Sequence, residues 1–180
     1  MILSYDSLIK LKEQGYGVID APEDAYQAAS IDVTLGTSVK RFFRDQNQYI
    51  IIPGETELKY RDVDPVRRAG DDKLFFQLEP QDFVLATTKE TIKLHDGIGA
   101  WIEGRSSIGR TGIFIQNAGW INPGFEGQIT LEIYNANFFP IYIYSGMGIG
   151  QIIIEQLDSN TSKPYKGKYN NQTNATPPIL

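Results

Sequence analysis

Alternation of apolar and polar residues over short stretches is the main pattern of this chain, and it predicts β-strands. Between positions 31 and 35 the odd-numbered residues are apolar, so Asp32 and Thr34 would face the opposite side of a strand. We expect Asp32 to be a turn or edge residue that bonds backbone groups. Further strands are predicted over residues 49–53, 74–88 with a turn at 80–82, 91–104 with a turn at 96–97, 128–135, 138–144 and 149–157.

Three stretches depart from this strand pattern. Residues 4–14 predict a short helix with Ser4 or Ser7 at its N-cap and its end near Gly15. Residues 55–72 are charged and poorly periodic, which indicates a surface excursion. After Leu157 the composition shifts to Asn, Ser, Thr, Lys, Gly and Pro, which cannot bury enough apolar surface to fold alone. We therefore predict an all-β domain over residues 1–157 and a mobile C-terminal arm over residues 158–180.

Composition and charge narrow the range of functions. Of the 180 residues 41% are apolar, so a single domain with a real core is the simplest expectation. The formal net charge of −5 argues against a general nucleic-acid binder, which would carry a basic surface. The absence of cysteine excludes a disulfide framework and, with a single histidine, a structural zinc site of the usual ligand types. That histidine, His95, lies beside a predicted turn, where a capping or surface role is favoured over catalysis.

The start of the chain and its apolar runs bear on where the protein acts. The first residues have no basic segment followed by an apolar core and a small-residue cleavage site, so no signal peptide is predicted. The longest apolar runs are far shorter than the ~20 residues that span a bilayer. We expect a soluble, cytoplasmic protein that does not interact with membranes.

Residues 104–112 read Gly-Arg-Ser-Ser-Ile-Gly-Arg-Thr-Gly and combine groups that bind phosphate. The guanidinium groups of Arg105 and Arg110 donate in bidentate geometry, and the glycines let backbone N–H groups come close to a ligand. Ser106 and Ser107 add hydroxyls. The stretch is not a P-loop, because Gly-x-x-x-x-Gly-Lys-Ser/Thr is missing. Composition alone leaves a second interpretation open, a turn with surface arginines.

Glu132 lies inside a strand pattern in which polar residues at even positions alternate with Ile129, Leu131 and Ile133. It is therefore expected outside the main core, where it could line a pocket shared between subunits. A carboxylate flanked by apolar residues is partly desolvated, which raises its pKa and suits it to move protons near neutral pH. The alternative is a strand glutamate that faces water, and the pattern alone favours that alternative.

Three motifs together carry a resemblance to a known family. They are residues 104–112, the stretch Asn-Ala-Gly-Trp-Ile-Asn-Pro-Gly-Phe-Glu-Gly-Gln-Ile-Thr-Leu-Glu over 117–132, and Gly-Met-Gly-Ile-Gly-Gln over 146–151. With them the chain resembles the dCTP deaminase family, which is related in fold to the trimeric dUTPases, over nearly its whole length. The tail residues Tyr165, Lys168 and Gln172 favour the deaminase branch over a plain dUTPase.

The resemblance implies a fold, an assembly and a reaction. The subunits would be distorted β-barrels or jelly rolls of the dUTPase-like type, assembled as a homotrimer with active sites at the subunit interfaces. The reaction would be dCTP + water → dUTP + ammonia, with Mg²⁺ bound to the triphosphate, and dTTP is a candidate inhibitor. Zinc-dependent cytosine deaminases need His and Cys ligands, and this chain has no cysteine, so a carboxylate would activate the water instead.

The resemblance also implies roles for individual residues. Glu132 would be the general base and acid, while Ser106 and Arg110 would hold the attacking water and the reacting end of the base. The implied phosphate contacts are Arg105, Ser106, Ser107, Gln151, and Lys168 and Gln172 of the arm. The implied contacts to base and sugar, and the residue that would close over the nucleotide, are Ala118 through its backbone, Ile121, Asn122 and Tyr165.

One position departs from the family's pattern. The motif at 118–122 usually reads Ala-Gly-x-Ile-Asp, and here the last residue is Asn122. In dUTPases that aspartate prepares the water that attacks the α-phosphate, and an amide cannot act as a general base. We therefore expect a monofunctional deaminase that releases dUTP. The alternatives are a bifunctional enzyme that makes dUMP and diphosphate, and a non-catalytic nucleotide-binding regulator.

Overall fold

The computed structural model describes residues 1–43, 51–56, 58–116 and 119–179, without the side chain of residue 116. Two α-helices are present in these ranges, α1 (Tyr5–Glu13) and α2 (Ser106–Gly109), and a 3₁₀ turn spans Glu23–Ala25. The strands are β1 (Gly17–Val18), β2 (Ile31–Phe43), β3 (Lys59–Asp62), β4 (Phe75–Leu78), β5 (Phe83–Thr88), β6 (Ile92–Lys93), β7 (Ile98–Gly104), β8 (Ile113–Gln116), β9 (Trp120–Ile121), β10 (Glu126–Gly127), β11 (Thr130–Asn135), β12 (Ile141–Tyr144) and β13 (Gly148–Gln156).

An eight-stranded sheet in the order β8-β11-β5-β2-β13-β7-β9, with β3 paired to the outer part of β2, forms most of the fold. A three-stranded sheet, β1-β6-β10, and a two-stranded sheet, β12-β4, complete the described strands. The 13-residue strand β2 joins two regions of the large sheet. Its first part pairs with β13, its later part pairs with β5 and β3, and the register with β5 shifts between Leu35 and Val39.

One apolar core lies between these sheets. Alternate residues of the long strands point into it, which is why the strands show period-two hydrophobicity. Fully buried members on β2, β4, β11 and β13 include Ile31, Leu35, Leu78, Leu131, Ile133 and Ile152. Each such side chain stabilises the fold by about 1.5–3 kcal/mol relative to an exposed position. Helix α1 packs on this core through Leu8 and Leu11.

Most of the predicted elements are confirmed, and the all-β class with a short N-terminal helix is correct. Ser4 is at the N-cap of α1, although its side chain makes no capping hydrogen bond. His95 accepts a hydrogen bond at Nδ1 from the backbone N–H of Gly97 at 2.9 Å, so the capping interpretation is also correct. The predicted strand over 138–144 begins later, at Ile141, after a bend over residues 137–139.

The predictions for residues 49–72 are wrong in two respects. The predicted strand over 49–53 lies partly outside the described residues, and 51–53 form no strand. Within the stretch predicted to be a surface excursion, Lys59–Asp62 form β3, which pairs antiparallel with the end of β2. This edge strand has mostly exposed side chains, so its sequence lacks the apolar alternation that marks a strand with one buried face.

The C-terminal residues lie along the body through backbone hydrogen bonds. The N–H of Tyr165 donates to the carbonyl of Pro123 at 2.7 Å, and that of Asn171 donates to the carbonyl of Glu126 at 2.6 Å. Further along, the N–H of Ala175 donates to Oγ of Ser38 at 3.1 Å. The arm thus has defined contacts with little regular secondary structure, while its movement stays a prediction. Within the described ranges no helix is long and apolar enough to cross a membrane.

Candidate active site

A cavity of about 410 Å³ lies between one face of the large sheet, β9 and the C-terminal arm. Residues from β3, β5, β9, β11 and the arm line it together. The sequence-predicted site residues that it brings together are Ile121, Asn122, Glu132, Tyr165 and Gln172. These residues are distant in sequence, and the fold brings them together in one cavity.

Glu132 is the acidic residue that lines this cavity among the described residues. Residues of β11 alternate between half-buried and buried, so Glu132 faces the cavity while Leu131 and Ile133 enter the core. Burial raises the pKa of the Glu132 carboxyl above its ordinary value. In the part of the chain that the structure describes, its carboxylate makes no hydrogen bond or ion pair. Its environment is therefore that of a partly desolvated carboxylate, whereas the sequence pattern alone favoured a glutamate that faces water.

Tyr60 is a cavity residue that sequence reasoning missed. It lies on β3, and burial and then the nearby Glu132 carboxylate raise the pKa of its phenol above the ordinary value. Its backbone pairs with Phe42 of β2, which brings it to the sheet face that carries Glu132. Its placement depends on the pairing of β3 with a strand distant in sequence, and the charged residues around Tyr60 do not predict that pairing.

Trp120 is a second cavity residue that was not predicted to contribute. Its indole Nε1–H donates a hydrogen bond to Oδ1 of Asn122 at 3.2 Å. Its ring also meets the ring of Trp101 edge-on, with centroids 5.1 Å apart and an interplanar angle of 63°. The aromatic walls of the cavity can accept a planar ring against their faces. Further aromatic lining residues are Phe83, Phe125 and Tyr169.

A second polar cluster forms around Arg105. The guanidinium Nη2 lies 3.4 Å from Oδ2 of Asp32, so the expectation that Asp32 bonds backbone groups is wrong: its side chain pairs with an arginine. Gln151 of β13 is the direct strand neighbour of Asp32 and accepts a hydrogen bond at Oε1 from Ser30 at 3.3 Å. Arginine, hydroxyl and amide groups thus meet at the edge between β2, β13 and α2.

The predicted site residues therefore fall into two groups within one chain. Arg105, Ser106, Ser107, Arg110, Gln151 and Lys168 do not line the cavity that contains Glu132. Ser106 and Ser107 begin α2, Arg110 follows its last residue, and all three side chains are exposed. Ala118 lies outside the described residues. The structure thus places Ile121 and Asn122, implied for base and sugar, in one cavity with Glu132 and with Gln172, which is implied for phosphate. The other residues implied for phosphate and water lie outside this cavity.

Comparison with known proteins identifies the family. A family model described as dCTP deaminase-like matches residues 2–157. The chain belongs to the dCTP deaminase-like family. This confirms the resemblance carried by the three motifs.

Two relatives match nearly the whole chain. A protein of Sulfurihydrogenibium sp. (strain YO3AOP1) named "dCTP deaminase, dUMP-forming" is 40% identical over 182 residues, which cover 98% of this chain and 95% of that protein. A protein of the same name from Persephonella marina (strain DSM 14350 / EX-H1) is 42% identical over 182 residues, with the same coverage.

A solved structure has a similar fold. The crystal structure of 2′-deoxycytidine 5′-triphosphate deaminase from Agrobacterium tumefaciens matches with a TM-score of 0.60 and 25% sequence identity. The match covers 85% of this chain and 47% of that one, so this chain spans about half the length of that protein. The likeness supports the predicted dUTPase-like β fold.

Proposed function

We propose that this protein is a dCTP deaminase that hydrolyses the C4–amino bond of the cytosine ring. The observation that carries the proposal is the half-buried Glu132 in a cavity shared with Ile121, Asn122, Tyr165 and Gln172, in a member of the dCTP deaminase-like family. A cavity of about 410 Å³ is in the range of small-molecule sites.

Glu132 supplies the acid and base steps in this proposal. Its carboxylate removes one proton from water as the water oxygen bonds to C4 of cytosine, and it delivers that proton to N3. It then takes the remaining proton from the new C4 hydroxyl and delivers it to the amino group. The C4–N bond breaks, ammonia leaves with the former amino nitrogen, and the ring keeps the water oxygen as a carbonyl. A carboxylate whose pKa is raised by burial is suited to both steps near neutral pH.

The phosphate-binding half of the site is proposed to come from a neighbouring copy of the chain. Arg105, Ser106 and Arg110 are exposed and lie outside the Glu132 cavity. In a homotrimer with interfacial sites, the α2 region of one subunit would complete the cavity of the next. There Ser106 and Arg110 would hold the attacking water and the base, and Arg105, Ser107 and Gln151 would contact the phosphates, assisted by Lys168.

Mg²⁺ is proposed to enter with the triphosphate. Phosphate oxygens are hard ligands of the kind that Mg²⁺ prefers, and in such sites Mg²⁺ is usually held by substrate phosphates, several waters and one or two carboxylates. The cluster of Arg105, Asp32 and Gln151 fits such a partly neutralised anion, because it offers both a guanidinium and a carboxylate. Mg²⁺ would reduce the charge of the phosphates that these residues meet.

The proposed final product is dUMP, formed together with diphosphate after deamination. The support is the name "dCTP deaminase, dUMP-forming" of relatives that are 40% and 42% identical over 98% of this chain. These names favour the bifunctional alternative over the expectation of dUTP from the sequence. Release of dUTP stays a second candidate because Asn122 carries an amide, which cannot take a proton from a water that attacks the α-phosphate.

Product analysis separates these candidates. The purified protein is incubated with dCTP and Mg²⁺, and the nucleotides are resolved by ion-exchange chromatography while ammonia is measured. Direct appearance of dUMP with diphosphate supports the proposal, and accumulation of dUTP without dUMP supports the second candidate. A nucleotide-binding regulator would bind dCTP and release no ammonia. Adding dTTP to the same assay tests it as an inhibitor.

Replacement of Glu132 tests its proposed role. Glu132→Gln keeps the size and polarity of the side chain, so dCTP should still bind, while ammonia release should fall at least ~10²-fold because the general acid–base group is lost. Tyr134→Phe is a matched control, since Tyr134 lies two residues further along β11 and its hydroxyl bonds Gln81. Unchanged turnover in Glu132→Gln would contradict the assignment.

A further inference from the structure

The orientation of the Asn122 amide is determined by its neighbour. Trp120 Nε1–H donates to Oδ1 of Asn122 at 3.2 Å. An indole N–H can only donate, so the amide atom that faces it must be the oxygen and not the nitrogen. The two N–H groups of Nδ2 therefore point elsewhere, and no described residue accepts a hydrogen bond from them. Asn122 lines the cavity, so this nitrogen is available as a donor to a ligand.

Trp120 is itself held in place. A Cβ added at Gly99 of β7 would lie only 2.3 Å from the Trp120 ring, so the ring packs directly on the backbone at that glycine. Trp101 contacts the ring edge-on with centroids 5.1 Å apart. The indole N–H of Trp101 donates to Glu155 at 3.3 Å, away from the cavity residues. Two contacts thus fix the direction in which the Trp120 N–H points.

We propose that Trp120 is a positioning residue that fixes Asn122 as a hydrogen-bond donor to the bound nucleotide. The group that receives this bond is an acceptor oxygen on the sugar of dCTP. This inference rests on the proposed function, which places the sugar at Asn122. Without the indole N–H the amide can rotate and present its carbonyl to the same oxygen, where two acceptors would repel. The amide must then be turned back when dCTP binds, and this lowers the affinity for dCTP.

Binding measurements on a double-mutant cycle test this coupling. All variants carry Glu132→Gln, which blocks turnover, and the dissociation constant for dCTP with Mg²⁺ is measured by calorimetry. Trp120→Phe keeps an aromatic ring and removes the N–H, and it should weaken binding about 3- to 10-fold, the range expected for one hydrogen bond. In an Asn122→Ala background, Trp120→Phe should have no further effect, because the residue through which it acts is gone.

Tyr134→Phe is the control, because it removes a hydrogen-bond donor that bonds Gln81 and contacts neither Asn122 nor the cavity. It should leave the dissociation constant unchanged. If Tyr134→Phe and Trp120→Phe weaken binding equally, or if Trp120→Phe weakens binding as much in the Asn122→Ala background, the inference is overturned.

Asn122→Asp covers the case in which Trp120→Phe fails to fold. The aspartate keeps an oxygen for the Trp120 N–H and replaces the outward NH₂ by a second oxygen, so dCTP binding should weaken by at least the same factor. Equal or tighter binding would show that the ligand needs an acceptor at this position and would overturn the inference. Ammonia release by the unaltered protein is measured separately: its absence would refute the proposed deaminase, whereas additive binding costs would refute only the role of Trp120.

Discussion

At the scale of single residues, the cavity is built around a carboxylate that loses hydration on folding. Glu132 faces the cavity from the middle of β11, between two residues that enter the core. Burial raises its pKa, which means that the folded state binds a proton at Glu132 more tightly than the unfolded chain does. Ionisation of Glu132 therefore slightly lowers the free energy of unfolding, and catalysis by a carboxylate at this position would require that ionised form.

Replacement of Glu132 by glutamine should make the protein more stable at neutral pH. A raised folded-state pKa contributes stability that is fully present below the unfolded value of about 4.3 and is lost as the pH rises through the folded value. Glutamine does not ionise, so the stability of the variant does not fall at this position as the pH rises. The melting temperature of Glu132→Gln should therefore exceed that of the original protein at neutral pH, and the gap should narrow below about pH 4.

The matched control for this effect is Glu103→Gln on β7, where the side chain is exposed. Scanning calorimetry across the pH range measures the difference in melting temperature between each variant and the original protein. A Glu132→Gln protein that is less stable than the original at neutral pH would show that the carboxylate makes a stabilising contact that outweighs its desolvation.

How far single residues could be predicted depends on whether their partners are local. The facing of Glu132 followed from alternation along its own strand, which is a property of consecutive residues. The pairing of Asp32 with Arg105 did not, because these residues meet only through β2, β13 and β7. Tyr60 and Trp120 enter the cavity for the same non-local reason, and neither residue type marks a site by itself.

At the scale of elements, the change of partner along β2 organises the large sheet. The strand pairs with β13 near its start and with β5 further on, and the register shifts between Leu35 and Val39. Gly36 lies at this point. A Cβ at position 36 would come within 2.7 Å of Cγ2 of Thr87 and within 3.1 Å of the carbonyl oxygens of Thr87 and Thr88. The close approach of β5 therefore requires a glycine here.

Gly36→Ala should destabilise the protein by about 1–3 kcal/mol, the usual cost of overpacking, because both carbonyls belong to the sheet backbone and cannot move aside freely. Gly109→Ala is the control, since a Cβ there has nothing within 4 Å, and it should be neutral or slightly stabilising. Denaturant unfolding of both variants measures the difference. Equal stability of the two would mean that β2 and β5 separate at little cost.

The arm is a second element whose stability can be tested. Gln128 holds it through its side chain, with Oε1 accepting the N–H of Asn174 at 2.8 Å, and through its backbone, which bonds Gln172. Gln128→Ala should open the arm more often and speed tryptic cleavage at Lys166 and Lys168 roughly 2- to 10-fold, the effect of losing one hydrogen bond.

Nucleotide binding should have the opposite effect on the arm. Tyr165 and Gln172 line the cavity, so dCTP or dTTP with Mg²⁺ should slow cleavage in both proteins. Gln27→Ala, at an exposed residue whose side chain bonds only its own turn, is the control for cleavage rate. Equal cleavage with and without nucleotide would remove the proposed role of the arm as a lid.

Elements could be predicted where their own sequence carries a burial pattern. Helix α1 and the long strands follow from local periodicity, whereas β3 does not, because Lys59–Asp62 form an exposed edge strand. The arm has a polar composition that predicts no independent fold, and its observed path depends on hydrogen bonds to Pro123, Glu126 and Gln128 that local sequence cannot specify.

At the scale of the whole molecule, the two groups of predicted site residues remain apart in one chain. The Glu132 cavity contains Ile121, Asn122 and Gln172, and Arg110 with its neighbours on α2 lies outside it. The motifs identified both groups from the sequence, but a sequence does not state which copy of the chain supplies each motif. In the interfacial arrangement proposed above, a neighbouring subunit would supply the α2 group, since closed homo-oligomers repeat the same contact at every interface.

Mixing two inactive variants tests this arrangement. Glu132→Gln and Arg110→Ala each disable one half of the proposed site, so each alone should be inactive. If the halves come from different subunits, hetero-oligomers co-expressed from equal amounts should regain roughly a quarter of the original ammonia release, because that fraction of interfaces pairs two intact halves. Co-expression of Glu132→Gln with Glu132→Ala should regain none. If hetero-oligomers of the first pair form and stay inactive, each chain must complete its own site, and the exposed arginines would then have to move to the cavity within a single subunit.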